Sequence, residues 1–218
     1  MMGGVRSKTT KMNALLHAGE PCIVTMDLRR CFPSTTNEKV FRVFRERLGC
    51  VPRIASVLTR LTTVSGSVPE GATSSPYLVN LALLDAYDAL EALAVALDLN
   101  FSMWVDDIAF SGKNAREVIA PAVVAIRRGG YTAHAGKKQV MSRSVPQEVT
   151  GLLVNSGLPT ISPAKREAIR QRILELAKRG HPTVQELSSI AGRIAYVRLT
   201  CPGQARYMQR LADQLLSR

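Results

Sequence analysis

Two adjacent acids, Asp106 and Asp107, lie between two short apolar runs, Phe101–Val105 and Ile108–Phe110, and this spacing leaves the chain few ways to fold there. Phe101, Met103 and Val105 alternate with Ser102 and Trp104, the period of a half-buried strand. Strands separated by so short a connection pair as a tight hairpin, whose tip presents both carboxylates. A second run, Cys22–Leu28 (CIVTMDL), is apolar and β-branched and closes on one acid, Asp27. That is the pattern of a buried strand delivering a single carboxylate to its C-terminal end. An isolated Asp pair is usually a solvated turn, because Asp hydrogen-bonds its own backbone there. A third acid at the end of another strand is what gives this pair weight.

Around these strands the pattern is mixed. Thr35-x-x-Glu38 has the form of a capping box, followed by a helical face of Val40, Phe44 and Leu48 that Gly49 ends. A second helix spans 52–62. After a Gly/Pro/Ser/Thr loop at 66–75, Ser75 reads as an N-cap and Pro76 as the first residue of one long buried helix to about Leu97. Residues 114–128 form an amphipathic helix closed by Gly129-Gly130. Short strands are expected at 131–133, 139–142 and 149–154, and three helices near 163–179, 183–199 and 203–217. The switch to purely helical composition sets three regions: an arm or remnant at 1–20, a mixed domain at 21–157 and a helical domain at 158–218.

Charge narrows the partners. The chain of 218 residues carries a net charge of +12, commonest in proteins that handle polyanions. Residues 1–61 carry +7, residues 62–160 carry −2 and residues 161–218 carry +7. Two basic flanks around an acidic middle suit a groove that grips phosphates on its walls and holds metal at its floor. Cys22, Cys31, Cys50 and Cys201 form no CxxC pair, and His17, His134 and His181 are scattered, so neither a zinc site nor a disulfide framework is indicated. No apolar run reaches membrane-spanning length and the start lacks a signal-peptide stretch, so no membrane partner and a cytoplasmic protein with reduced thiols are expected.

Carboxylates on neighbouring strand ends are what phosphoryl transfer through two divalent ions needs, because Mg²⁺ takes oxygen ligands and keeps some of its water. The strings carrying these acids resemble a known family. CIVTMDLRRCFPS is similar to the first palm motif of reverse transcriptases, VPEGATSSPYLVNL to the second, FSMWVDDIAFSG to the third and GYTAHAGKKQV to the fourth. Asn13-Ala14-Leu15-Leu16-His17 matches the NAxxH signature, and Val149-Thr150-Gly151 the VTG signature, of retron-type reverse transcriptases. The resemblance implies an α+β fold, a right-hand polymerase palm of antiparallel sheet with helices on one face, followed by an all-helical thumb. It further implies an RNA-directed DNA polymerase that adds dNTPs to a primer 3′-hydroxyl on a structured non-coding RNA, serving phage defence with an effector protein.

Carried over by position, the resemblance makes Asp27, Asp106 and Asp107 the catalytic ligands of two Mg²⁺ ions, with Mn²⁺ able to substitute, and adds the backbone carbonyl of Leu28. Phe32 matches the aromatic gate that excludes a ribose 2′-hydroxyl. Arg6, Glu70, Gly71 and Lys137 fall at nucleotide-binding positions, with Lys138 the alternative to Lys137 beside the leaving pyrophosphate. Asn13, His17, Trp104, Val149, Thr150, Gly151, Arg170, Arg193 and Arg198 are assigned to the nucleic acid; Arg172, Lys178, Arg206 and Arg210 are further candidates for backbone contacts.

The departures are specific. Glu70 stands where the family usually has Gln, Trp104 where it has Tyr, His134 where it has Asn and Lys138 where it has Thr. Only 12 residues precede Asn13, where complete relatives build their fingers. The alternative reading is a truncated or degenerate relative that binds structured RNA without catalysis.

Overall fold

The computed structural model describes residues 1–216. Its centre is a four-stranded antiparallel sheet of β1 (Cys22–Asp27), β2 (Asn100–Trp104), β3 (Asp107–Ser111) and β4 (Gln139–Ser142), in the order β2-β3-β1-β4. Alternation along each strand sorts the side chains onto two faces. Val24, Met26, Met103, Ile108 and Phe110 point to one face and are almost fully buried. They pack against α6 (Leu84–Ala96) and α7 (Ile119–Arg128) through Leu90, Ala94, Ala122 and Ile126. Phe110 stacks on Phe101 at 4.9 Å between ring centroids. Each such large side chain contributes about 1.5–3 kcal/mol by leaving water.

The opposite face carries Ile23, Thr25 and Asp27 of β1, and Asp107, Ala109 and Ser111 of β3. Ile23, Ala109 and Met141 are covered by a second apolar cluster. That cluster runs through the small hairpin β5 (Glu148–Val149) and β6 (Leu152–Leu153) into α8 (Pro163–Arg179), α9 (Val184–Arg198) and α10 (Pro202–Leu216). Thr25, Asp27 and Asp107 lie beyond the edge of this cover and line an open cleft. Where Ser162 and Thr183 precede α8 and α9, each hydroxyl accepts an amide hydrogen bond, and Thr183 with Glu186 completes a capping box.

Several local expectations are corrected. The capping box at Thr35 does not form: its hydroxyl is taken by the Cys31 carbonyl and the Tyr131 hydroxyl. Thr36 is the N-cap of α3 (Asn37–Arg42), which continues into a π-helical turn over Val43–Arg47. Ser75 is not an N-cap but the first residue of α5 (Ser75–Ala82), its hydroxyl donating to the Pro69 carbonyl at 2.6 Å. The single long helix bends at Leu83, where ψ is −4°, while hydrogen bonds to Val79 and from Tyr87 run through the bend. The bend keeps Val79, Leu83, Ala86 and Leu90 all on the core, a packing effect invisible in a uniformly apolar stretch. The expected strand at 131–133 reduces to one bridge between Leu28 and Ala133. The expected strand at 149–154 is split into the paired strands β5 and β6 by a tight turn, where Thr150 and Gly151 both take positive φ, 46° and 83°.

The chain start is packed rather than a loose arm. The Met2 amide donates to the Met103 carbonyl at 2.7 Å, and Asn80 Nδ2 donates to the Gly3 carbonyl at 2.6 Å. A Cβ on Gly3 would come within 2.6 Å of the Val105 nitrogen, so this close approach requires glycine. The helix α1 (Thr10–Leu15) follows, with Thr9 as its N-cap.

Candidate active site

Register brings the acids together. Asp27, at the end of β1, is the direct antiparallel partner of Asp107, the first residue of β3, and Asp107 also faces Trp104 on β2. Asp106 lies in the two-residue hairpin turn, and its carbonyl accepts from the Leu28 amide at 3.0 Å. Its neighbour Val105 has φ of 57°. A β-branched residue in this region is strained by about 1–3 kcal/mol, and such strain persists only where the surroundings enforce it. Here the backbone bond from Leu28 and the packed Gly3 do so.

The carboxylates crowd one another. The Asp107 carboxyl is pushed up to about 6, first by partial desolvation and then by the charges of Asp106 and Asp27. Asp106 is also raised, by desolvation ahead of Asp27 and Glu70. Glu70 thus adds to the negative field at Asp106. Lys137 opposes it: its Nζ donates to Asp27 Oδ2 at 2.9 Å, and this bond holds the ammonium above the usual lysine range. Lys138, one residue on, is exposed and makes no such bond among the described residues. The loop carrying Lys137 is anchored by the His134 amide, which donates to the Asp27 carbonyl at 2.7 Å, and His134 Nδ1 accepts from the Gly136 amide.

Asp27, Asp107, Trp104 and Lys137 line a cleft of about 770 Å³ that continues to Thr150 and Gly151. Phe32 is half-buried in α2 (Cys31–Ser34), the short helical turn that follows β1. Gly71, with φ of 87°, stands exposed beside Glu70, with nothing within 4 Å of where a Cβ would lie. Arg6 is exposed in the packed N-terminal turn, with no ion pair found among the described residues.

The two signature strings meet. Asn13 Nδ2 donates to Thr150 Oγ1 at 3.5 Å, and the Thr150 hydroxyl donates to the Thr10 carbonyl. Tyr196 of α9 donates to the Thr150 carbonyl, and Lys165 of α8 to the Gly151 carbonyl. His17 is fully buried, with Nδ1 2.7 Å from the Ser111 hydroxyl and Nε2 2.8 Å from that of Ser102. His17 is enclosed by protein and fastens the segment after α1 to the aspartate hairpin, whereas Asn13 and Val149, almost fully buried, sit in the wall of the cleft beside Thr150 and Gly151. Ser102, Ser111 and Tyr196 carried no local signal, because their role exists only through partners distant in sequence.

The thumb cations divide. Arg170 is held by both oxygens of Glu167, and Arg172 by Glu175 and Glu186. Arg198, Arg206 and Arg210 share a pocket with Gln209 and show no ion pairs among the described residues. Arg193 lies in a separate pocket beside Arg172, Glu175 and Glu186.

Among the described residues, no group of three His, Cys, Asp or Glu side chains is drawn closely enough together to hold a metal ion as it stands. The donors present are hard oxygens, two of them on cross-strand partners, which is the chemistry Mg²⁺ or Mn²⁺ takes. Asp27, Asp107 and Asp106 thus fit such an ion by donor type. No described helix is long and apolar enough to cross a membrane.

Solved structures of similar fold include reverse transcriptase and telomerase chains. The foamy viral protease-reverse transcriptase in complex with RNA/DNA hybrid matches with a TM-score of 0.56 at 18% identity, over 89% of this chain and 24% of that one. Telomerase from Candida albicans matches with a TM-score of 0.52 at 11% identity, over 92% of this chain and 42% of that one. The fold is that of a reverse-transcriptase palm carrying a helical thumb. No family model matches the chain. In sequence it is similar to retron reverse transcriptases. The Mx162 enzyme of Myxococcus xanthus is 25% identical over 94% of this chain and 50% of its own length. The Ec86 enzyme of Escherichia coli is 30% identical over 74% of this chain and 51% of its own length. The chain thus spans about half the length of the retron proteins it matches.

Proposed function

We propose that this chain is the catalytic palm and thumb of an RNA-directed DNA polymerase, adding dNTPs to a primer 3′-hydroxyl on a structured RNA template. The observation that carries this reading is the in-register pairing of Asp27 with Asp107 beside the turn that holds Asp106. Two Mg²⁺ ions, held by these carboxylates and the Leu28 carbonyl, would activate the hydroxyl and neutralise the triphosphate. Lys137 is protonated at neutral pH and reaches the same carboxylate. Released from Asp27, it can give its proton to the departing pyrophosphate. Phe32 stands against the sugar, Gly71 allows the backbone close to the nucleotide, and Trp104 supplies a stacking surface beside the acids.

Outside the cleft, Arg198, Arg206 and Arg210, which show no ion pairs among the described residues, are thumb cations that can neutralise phosphates. The similarity to retron enzymes supports a retron setting, with synthesis on a cognate non-coding RNA in phage defence beside an effector protein. Primer extension by the purified protein with Mg²⁺ and dNTPs tests the proposal. Product from the wild type and none from Asp107→Asn is the expected result. RNA binding without any product would leave a non-catalytic RNA-binding relative instead.

A further inference from the structure

The turn carrying Phe32 is gripped at both ends by Thr35 and Lys39, which lie outside the four palm motifs, and by Tyr131 at the start of the fourth. At its start, the buried Thr35 hydroxyl donates to the Cys31 carbonyl at 3.0 Å and pairs with the Tyr131 hydroxyl at 3.1 Å. At its end, Lys39 Nζ donates to the Ser34 carbonyl at 2.9 Å. The same ammonium donates to the Gly130 carbonyl at 2.7 Å and sits 3.6 Å above the centre of the Tyr131 ring. Tyr131 is 3% exposed and Thr35 fully buried, so neither is a solvated surface contact. The second motif is tied to the same point, because the Val68 amide donates to the Thr35 carbonyl at 3.0 Å and Thr36 bridges Ser67.

We propose that Thr35, Lys39 and Tyr131 form a clamp that positions Phe32 for sugar selection without touching the nucleotide. The inference rests on the gate role proposed for Phe32 and adds the residues that set its placement. A ring excludes one hydroxyl only if it is held to a fraction of an ångström, and the α2 backbone starts from strained Arg30, with φ of 50°. Four residues of helix cannot hold that position alone. A buried, mutually bonded polar network tied to another loop can.

The test measures equilibrium dissociation constants for a dNTP and the matching ribonucleotide, on the full chain with Mg²⁺. A dideoxy-terminated primer on an RNA template removes any need for turnover. The readout is the ratio of the two constants, which partial misfolding leaves unchanged because it raises both by the same factor. Phe32→Ala should collapse the ratio. Lys39→Met and Thr35→Val should lower it roughly tenfold, given that ångström-scale misplacement costs as much as a hundredfold elsewhere. Tyr131→Phe, which removes one oxygen and keeps the ring, should lower it less, and Lys39→Arg should restore it. If Phe32→Ala changes the ratio while all three clamp variants keep it, the clamp is overturned and the gate stands. Where Lys39→Met or Thr35→Val fails to fold, Tyr131→Phe decides. An unchanged ratio in Phe32→Ala, or no binding of either nucleotide by the wild type, overturns the gate reading and the clamp with it.

Discussion

Mild acid is expected to loosen this fold through His17. Both ring nitrogens are engaged, at 2.7 and 2.8 Å from Ser111 and Ser102, and no part of the residue reaches solvent. The neutral ring donates through one nitrogen and accepts through the other. A second proton would place an uncompensated charge among apolar neighbours and force both hydroxyls to accept. Burial accordingly lowers the His17 pKa from 6.5 to about 4. Between those values the unfolded chain binds more protons than the folded one, so stability is full above about pH 6.5 and declines as pH falls towards 4. The gap corresponds to roughly 3 kcal/mol, a large share of the stability of a domain this size. Asp107, raised to about 6, works in the opposite sense, since its protonation favours the folded state as pH falls towards 3.8. Glu167 and Glu186, lowered to about 2, lose their contribution only below 4.5. Comparison of wild type with His17→Gln isolates the histidine, because the carboxylates are common to both. Urea unfolding at about pH 7.5 and about pH 4.5 should show the wild type losing about 2–3 kcal/mol more than the variant. Equal losses in the two proteins would refute the argument.

Asp106→Asn should abolish DNA synthesis while leaving RNA affinity unchanged or slightly higher, as read by filter binding; a parallel loss of binding would make the acid structural. Lys137→Ala should slow nucleotide addition by about 10²–10⁴-fold, the range for a lost general acid, and an unchanged single-turnover rate would remove Lys137 from that role. Gly3→Ala should destabilise the protein by about 1–3 kcal/mol through overpacking against Val105, seen as a lower thermal midpoint with weaker synthesis; an unaffected midpoint would mean that the N-terminal turn moves freely. Arg198, Arg206 and Arg210 together replaced by Ala should reduce the slope of log affinity against log salt by about 2–3, at roughly 0.7–0.9 per phosphate; an unchanged slope would place the RNA elsewhere.

Legibility in the sequence followed locality. The strand ending in Asp27 and the hairpin presenting Asp106 and Asp107 were readable because alternation and turn length are short-range signals. The helices of the thumb were readable from their purely helical composition and the Gly/Pro breaks between them, though not their caps. Thr35 shows where such reading stops: its spacing to Glu38 satisfies the capping pattern, yet Tyr131, 96 residues away, claims the hydroxyl. The Thr150 turn was missed for a related reason, since a threonine at positive φ is stabilised there by Asn13 and Thr10 rather than by its own preference.

Residue order and spacing alone determined that a tight hairpin would present Asp106 and Asp107, that a strand would end at Asp27, and where a helical segment would follow. Tertiary structure alone decided that Asp27 faces Asp107, that Lys137 rather than Lys138 reaches Asp27, and that His17 is enclosed between Ser102 and Ser111 while Asn13 bonds Thr150. Those outcomes depend on strand register and on competition between distant hydrogen-bonding partners, which no local pattern encodes.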